Sequence, residues 1–212
     1  MDFEIIKPAD IEKRSFAIIT EELGDRVFPE EIGLVVKRVI HTSADFDYAD
    51  NLVFSEGAVP RALEVIRNGA HIVTDTNMVK AGINKKTLAK FGGEVHCFVA
   101  DADVAEEAKQ RGVTRSTVSM ERAAKLDVPV IFAIGNAPTA LIRLHELIEE
   151  GIVAPALVIG VPVGFVNVVE AKELFIGGDT PYIIARGRKG GSNVAASIVN
   201  ALLYQMVHRE GF

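Results

Sequence analysis

The sequence predicts an α/β fold built from short buried strands that alternate with helices. From His71 onward, apolar runs bounded by turn residues are each followed by a stretch with helical spacing of its apolar positions. Such alternation implies parallel strands joined by right-handed crossovers, with helices on both faces of the sheet. A chain of 212 residues without an evident linker suits a single domain, residues 1–212. We therefore expect a three-layer, flavodoxin-like parallel sheet of about five strands.

The individual elements follow from the same patterns. The predicted strands are residues 71–75, 94–99, 128–134, 156–160 and 182–186. The predicted helices run from Asp10 to near Gly24, from Pro29 to about His41, over residues 59–66, 84–91, 103–111, 116–126, 138–150 and 164–175, and from Ser192 to about His208.

The first helix carries a serine where a leucine would be expected. Its predicted apolar face contains Ile11, Ile18 and Ile19, and Ser15 lies one turn after Ile11 on that face. The structural explanation is a hydroxyl group that donates back to the carbonyl group of Ile11. The functional explanation is contact with a ligand, and the pattern alone favours the structural one.

The stretch from Leu34 to Phe54 ends a helix on a histidine followed by small polar and acidic residues. Arg38 and His41 are three residues apart on the polar side of this helix, so both side chains can face one cavity. His41 falls in or just after the last turn, where unpaired carbonyl groups and the helix dipole favour an imidazolium. That suits a proton donor. A histidine that only caps the last carbonyl groups is the alternative, and the pattern does not decide between them.

Composition excludes several broad classes of protein. The net charge of −6 argues against a nucleic-acid or membrane-surface binder, because those need a basic field. Cys97 is a lone cysteine in an apolar run, which predicts a buried thiol and excludes an internal disulfide. The acidic start of the chain carries no secretion signal, so we expect a cytoplasmic protein. The uncharged segment 152–169 is interrupted by Pro162 and Gly164, which predicts a strand, a turn and a new helix instead of a membrane span.

Small and hydrogen-bonding residues follow the predicted strands, at the edge where open parallel sheets bind ligands. In the last such loop, Gly190 and Gly191 precede a helix N-terminus, where backbone amides can bind an anion, and Arg188 and Lys189 add charge. A plain turn with solvated basic residues explains the pattern equally well. The segments that form this predicted pocket floor are 74–77, 101–103, 135–139, 160–164 and 187–193.

Motifs for other chemistries are missing from the sequence. It contains no Walker pattern, no G-x-G-x-x-G after a strand and no G-x-S-x-G elbow. We interpret Asp45, Asp47 and Asp50 as caps and orienting groups, because a calcium loop needs a longer ligand series. The histidines lie on separate elements without the spacing typical of metal ligands, so no metal site is expected: His71, His96, His145 and His208.

The last helix is apolar or small nearly all the way round, so it needs cover on every side. A deep position within the chain and a part in a subunit interface are equally compatible with this pattern.

Five blocks of the sequence, in the same order and covering nearly the whole chain, resemble the precorrin-8X methylmutase family, also called cobalt-precorrin-8 methylmutase. The blocks are RVIHTSADFDYAD from Arg38, TDTNM from Thr74, GNAPTAL from Gly135, GVPVGFVN from Gly160 and GRKGGSN from Gly187.

The resemblance implies roles for particular residues. His41 matches the family's histidine that donates and accepts a proton, while Arg38 and Ser15 match residues that contact the substrate. Thr76 and Asn136 lie in matching blocks and are further candidates for binding the substrate. Each can also be an ordinary turn or cap residue.

The resemblance also implies a reaction in cobalamin biosynthesis. A methyl group moves from C11 to C12 of precorrin-8X or cobalt-precorrin-8, which gives hydrogenobyrinate or cobyrinate. This isomerisation needs no cofactor, and the family is homodimeric. The sequence leaves open whether the substrate contains cobalt. Two alternatives from other classes are a non-catalytic corrinoid- or anion-binding protein and a hydrolase or sugar-phosphate enzyme on the same kind of sheet.

Overall fold

The computed structural model describes residues 4–207, so the predicted end of the last helix at His208 lies outside the described residues. Within this range the chain forms one sheet of six strands. The strands are β1 (Leu52–Phe54), β2 (His71–Thr74), β3 (Val95–His96), β4 (Val130–Ile134), β5 (Leu157–Gly160) and β6 (Tyr182–Ala185).

Five of these strands confirm the predicted parallel sheet. The strands lie in the order β3, β2, β4, β5, β6, and each neighbouring pair is parallel. Numbered among themselves along the chain, they give the order 2-1-3-4-5 of a flavodoxin-like fold. A strand was predicted at residues 94–99, but the observed strand β3 is shorter, because only Val95 and His96 pair with β2.

The sixth strand, β1, is missing from the sequence prediction. It pairs antiparallel with β6, with Leu52 opposite Ala185 and Phe54 opposite Ile183. Three residues that directly follow a helix carry too short a pattern to indicate a strand. Its pairing partner, more than half the chain away, is what makes this segment extended.

The helices surround the sheet on both faces. They are α1 (Ile11–Leu23), α2 (Glu30–Ser43), α3 (Tyr48–Asn51), α4 (Ala58–Arg67), α5 (Asn77–Gly82), α6 (Lys85–Ala89), α7 (Ala102–Arg111), α8 (Arg115–Ala123), α9 (Pro138–Glu149), α10 (Val168–Glu173) and α11 (Ser192–Met206), after a 3₁₀ turn at Pro8–Asp10.

Three helices differ most from the prediction, among them the four-residue α3, which the sequence did not predict. The predicted helix 164–175 shrinks to α10, because Asn167 adopts a left-handed conformation (φ 56°) just before it. α5 was not predicted, although its N-cap residue has the expected chemistry. The Thr76 side chain accepts a hydrogen bond from the Val79 amide at 3.2 Å.

The sheet separates two apolar layers. Ile131, Ile159 and Ile183 point to one side, where α2, α4 and α11 cover them. Phe132, Val158 and Ile184 alternate to the other side, beneath α8, α9 and α10. Burial of each such side chain contributes about 1.5–3 kcal/mol, so both layers hold the strand ends in fixed positions.

α11 lies deep within the chain. It packs against α2, α5 and α4 and against the sheet, and residues from Val194 to Leu203 are buried, apart from the half-buried Asn200. The intrachain alternative therefore accounts for its apolar surface. A subunit contact is not needed to cover this helix.

The apolar face of α1 was predicted incorrectly in part. Ile19 is buried as expected, together with Phe16 and Leu23. Ile11 is 53% exposed and Ile18 is 37% exposed. The helix docks against α2 through a neighbouring face, and Ser15 lies with Ile11 and Ile18 on the side facing outward.

Segment 152–169 is not a helix. It contains β5 and an irregular connection to α10, which confirms the strand and turn indicated by Pro162 and Gly164. Over residues 4–207, every helix is too short or too polar to cross a bilayer.

Candidate functional site

The end of α2 positions His41 without using its side chain as a cap. Ala44 closes the helix in a left-handed conformation, and its amide donates to the carbonyl of Ile40 at 2.7 Å. The hydroxyl group of Thr42 donates to the carbonyl of Arg38 at 3.0 Å, and that of Ser43 donates to the carbonyl of Val39 at 2.8 Å. Among the described residues, no hydrogen bond joins the His41 ring to a carbonyl group at this helix end. The C-cap alternative for His41 is not what the described chain shows.

The His41 ring instead borders a surface groove. It stacks on the Phe16 ring of α1, with a centroid distance of 5.3 Å and an interplanar angle of 20°. The groove has a volume of about 280 Å³. It is lined by residues of α1 and of the end of α2: Ser15, Ile18, Ile19, Glu22, Ile40, His41, Ala44 and Phe46. His41 itself stays exposed, so its ring can reach a ligand in this groove.

The electrostatic surroundings of His41 favour a neutral imidazole. Partial burial lowers its pKa from the ordinary 6.5, and the positive charge of Arg38 lowers the pKa further, while Glu12 opposes both. The helix dipole was expected to favour the imidazolium, but desolvation and Arg38 prevail. In the free protein at pH 7 the ring therefore has both an N–H donor and a lone pair.

Arg38 is buried, contrary to the expectation that it lies on the polar side of α2 and can share one cavity with His41. It is 6% exposed and forms an ion pair with Glu12. Its guanidinium lies 4.7 Å from the Phe16 ring centroid and 5.2 Å from that of Tyr204. Arg38 is also absent from the residues that line the groove. Partners on α1 and α11 draw the guanidinium inward, and helical periodicity within α2 cannot indicate them.

Phe16 and Glu12 are functional candidates that the sequence analysis missed. Phe16 contacts both the guanidinium of Arg38 and the ring of His41. Glu12 pairs with Arg38 and acts on the charge of His41. Both lie on α1 at a spacing of i and i+4, so a search for a polar partner one turn before the buried phenylalanine would have found Glu12.

Ser15 forms the hydrogen bond of the structural explanation and also lies at the groove. Its hydroxyl group donates to the carbonyl of Ile11 at 2.9 Å, which is the structural explanation. The same side chain lines the groove beside His41. Because a hydroxyl oxygen that donates one bond can still accept another, the bond to Ile11 leaves Ser15 able to contact a ligand, and that contact stays a prediction.

A buried carboxylate organises the predicted pocket floor. Asp75, directly after β2, accepts hydrogen bonds from the amides of Gly135, Asn136 and Ala137 at 2.9, 2.8 and 2.6 Å. This fixes the loop that joins β4 to α9. The Asn136 side chain is exposed at that edge. Thr76 caps α5 and shares a hydrogen bond with the Ser192 hydroxyl at 3.0 Å.

The loop between β6 and α11 is held from below by a buried lysine. The Lys172 ammonium donates to the carbonyls of Gly187 and Lys189 at 2.7 and 2.8 Å. Burial lowers the pKa of Lys172 to about 8. Gly190 lies so close to β5 that an added Cβ would be 2.1 Å from the carbonyl oxygen of Val161.

The same loop is tied to the end of α2. The Lys189 ammonium lies 2.7 Å from an oxygen of Asp45 and 2.6 Å from one of Asp47. Lys189 was expected to be a mobile charge for a ligand, and the structure pairs it instead. Arg188 stays exposed beside Phe165. These contacts connect the pocket floor to the segment that follows His41.

His71, His96 and His145 lie on separate elements, as the sequence suggested, while His208 lies outside the described residues. The sheet nevertheless brings two of them together. His71 on β2 and His96 on β3 approach within 2.8 Å through their ring nitrogens. Sequence spacing could not show this, because only the strand order places β3 beside β2.

Comparison with known proteins gives one consistent family. The family model for precorrin-8X methylmutase matches residues 10–205. The cobalt-precorrin-8 methylmutase of Priestia megaterium is 46% identical over 197 residues, which is 93% of this chain and 88% of that protein. The precorrin-8X methylmutase of Pseudomonas aeruginosa is 39% identical over 194 residues, 91% of this chain and 93% of that protein.

A solved structure agrees with this result. The crystal structure of precorrin-8X methylmutase from Thermus thermophilus is 39% identical and superposes with a TM-score of 0.85, covering 94% of this chain and 98% of that chain. The similarity therefore extends over the sheet, its helices and the segment around His41.

Proposed function

Because this chain belongs to the precorrin-8X methylmutase family, we propose that His41 exchanges the proton that accompanies methyl migration on its corrinoid substrate. The chain is an isomerase of cobalamin biosynthesis that catalyses the family's methyl shift. The proposed shift runs from C11 to C12 and yields hydrogenobyrinate or, with cobalt in the ring, cobyrinate.

The reaction requires the protein to position the substrate and to transfer one proton. The rearrangement is intramolecular, so the substrate supplies both ends of the new bond. The protein has to hold the macrocycle in one orientation and to deliver or remove a proton at the conjugated ring. One imidazole beside the bound ring satisfies the second need.

The geometry of His41 is the observation that carries this proposal. The ring is exposed at a groove, is free of a capping role and is held in orientation by stacking on Phe16. Its lowered pKa keeps it neutral in the free protein, so it can accept a proton or donate its N–H. A substrate with several carboxylates brings negative charge close to the His41 imidazole, which raises the pKa of His41 and favours the imidazolium in the complex. Proton donation then follows binding.

Substrate contacts are proposed for the groove and the neighbouring loops. Ser15 offers a hydroxyl beside His41, and Ile18 offers an apolar surface to the flat ring. Arg38 is proposed to assist substrate binding. Because Arg38 is buried, its charge acts more strongly on the pKa of His41 than on a carboxylate group of the substrate. Thr76 and Asn136 are proposed contacts from the carboxyl edge of the sheet.

We also propose that the protein acts as a homodimer in the cytoplasm. A groove of about 280 Å³ is small for a corrinoid, because pockets for ligands of drug size span roughly 300–1,000 Å³. One chain alone therefore covers only part of the macrocycle. A second subunit over the exposed side of α1 would complete the enclosure.

Replacement of His41 tests the proposal. His41→Asn keeps a polar side chain of similar reach but has no group that titrates near pH 7, so it should abolish single-turnover conversion of the precorrin. Product binding, followed by the absorbance of the coloured corrinoid, should stay within about threefold because the groove is unchanged. His145→Asn, on α9 against Phe175, is the matched control and should convert normally.

The same experiment separates the enzyme from a non-catalytic corrinoid-binding protein. Wild-type protein that binds the product but never converts the precorrin would support the binding protein. A His41→Asn variant that converts substrate at the wild-type rate would refute the role of His41 while leaving the family activity intact.

A further inference from the structure

Three potential metal ligands converge on one face of the sheet, away from α2. The Nδ1 atom of His71 and the Nε2 atom of His96 are 2.8 Å apart, and their rings stack with centroids 5.0 Å apart. Glu94 lies beside them, and one ligand atom from each of the three residues falls within 4.8 Å of the others.

The strand register places these side chains on the same face. Val73 of β2 pairs with His96 of β3, and Ile72 pairs with Val95. Since side chains alternate along a strand, His71 shares the face of Val73, and Glu94 shares that of His96. No rearrangement of the backbone is therefore needed to bring the three groups together.

The backbone that carries these residues is fixed by hydrogen bonds. The amide of Ile72 donates to the carbonyl of Glu94 at 2.8 Å, and the Thr74 hydroxyl donates to the carbonyl of His96 at 3.2 Å. The amide of His71 donates to Pro129 at 2.9 Å. Ligands on such a rigid support lose little freedom when an ion binds.

We propose that His71, His96 and Glu94 bind a divalent transition-metal ion of the zinc type. Two imidazoles and one carboxylate form a ligand set that suits Zn²⁺, and they leave a fourth position for water or another group. At Zn–N distances of about 2.0–2.1 Å, tetrahedral coordination separates two nitrogens by roughly 3.3 Å. The two rings thus have to part by about half an ångström, which is a small side-chain movement.

Nearby groups affect this site in opposite directions. The Glu94 carboxylate attracts a cation, whereas the ammonium of Lys80 near His96 repels one. The Phe98 ring stacks on His96, with centroids 6.0 Å apart, and holds its orientation. A bound ion would replace the hydrogen bond between the two histidine rings with two coordination bonds.

The site is separate from the proposed catalytic groove. Val73 belongs to the apolar layer beneath α8 and α9, and His71 shares its face. α2, which carries His41, covers the opposite face. The ion therefore joins β2 to the edge strand β3 and acts on stability instead of on the proton transfer.

Titration of the full chain with zinc tests this inference. Chelator-treated protein without a histidine tag is titrated with ZnCl₂ at pH 7.5 by calorimetry, and the thermal midpoint is measured with and without zinc. We expect one saturable site per chain and a higher midpoint with zinc, because the ion binds only the folded arrangement. Glu94→Gln and His71→Gln should each weaken binding at least about tenfold.

Control variants make the outcome decisive. Glu94 is exposed, so Glu94→Gln keeps the fold, and circular dichroism checks His71→Gln. His145→Gln removes a histidine from a different element and should bind zinc like the wild type. Absence of saturable binding, or equal binding by wild type, His71→Gln and Glu94→Gln, would overturn the proposal and leave a hydrogen-bonded histidine pair.

Discussion

Replacing Lys172 with methionine should remove a pH-dependent contribution to stability. Lys172 is fully buried in α10, and its ammonium donates to the carbonyls of Gly187 and Lys189. Desolvation lowers its pKa from 10.5 to about 8. The unfolded chain therefore binds more protons than the folded chain between these two values, so stability rises with pH across that window.

The magnitude follows from the shift. A displacement from 10.5 to about 8 corresponds to about 3 kcal/mol in total, at 1.36 kcal/mol per pKa unit. Roughly 2 kcal/mol of this should appear between pH 7.5 and pH 10, where most of the proton release occurs. Lys172→Met lacks the titrating group. From pH 7.5 to pH 10, its free energy of unfolding should therefore rise by roughly 2 kcal/mol less than that of the wild type.

Urea unfolding at pH 7.5 and pH 10 measures this difference. The free energy of unfolding is compared between the two pH values within each protein, so groups that titrate in both cancel. Lys109→Met, which removes an exposed lysine from α7, controls for the loss of one lysine. If wild type and Lys172→Met change in parallel with pH, the lysine is not desolvated and the reasoning fails.

Three further predictions concern the site and its supports. Burial and Arg38 lower the pKa of His41 below 6.5 and Glu12 opposes them, so kcat/KM, which needs the protonated donor, should fall with rising pH on a limb whose midpoint lies below pH 6.5 and moves lower still in Glu12→Gln. A midpoint at or above 6.5 in a pH–rate profile would contradict this. Gly190→Ala should lower the free energy of unfolding, measured in urea, by at least about 2 kcal/mol, because the new Cβ would lie 2.1 Å from the carbonyl oxygen of Val161. Gly178→Ala is the control and should lower it by less than about 1 kcal/mol, because its Cβ would lie 3.6 Å from the nearest atom. Asp75→Asn should lower the free energy of unfolding in urea by about 3 kcal/mol, because an amide offers one oxygen where the two carboxylate oxygens accept three backbone N–H groups. A loss of less than about 1 kcal/mol would show that the loop after β4 does not depend on Asp75.

Sequence patterns gave the parallel sheet because local signals and burial agree there. β4, β5 and β6 are fully buried apolar runs with turn residues at both ends, so their existence could be predicted, whereas the order of the strands in the sheet could not. β1 and the short β3 depend on partners distant in sequence, and neither has a pattern long enough to define its bounds. The strand prediction was thus weakest at the two edges of the sheet.

For the site, sequence reasoning placed His41 but not its surroundings. The helix end, the polar residues after it and the family resemblance all pointed to His41, whose exposed ring lies beside a groove; its catalytic role stays a prediction. Arg38 turned out to be buried, because Glu12, Phe16 and Tyr204 enclose it from two other helices. Contacts of this kind are set by how helices dock, and no periodicity within one helix encodes them.

The two outer strands of the sheet limit how copies of this chain can associate. β1 has three residues and β3 has two, so each border exposes only a few backbone donors and acceptors to another chain. Extension of the sheet from one molecule into the next would form very few main-chain hydrogen bonds on either side. A stable pair must therefore form through side-chain surfaces of the helices, and the borders themselves resist growth into fibrils.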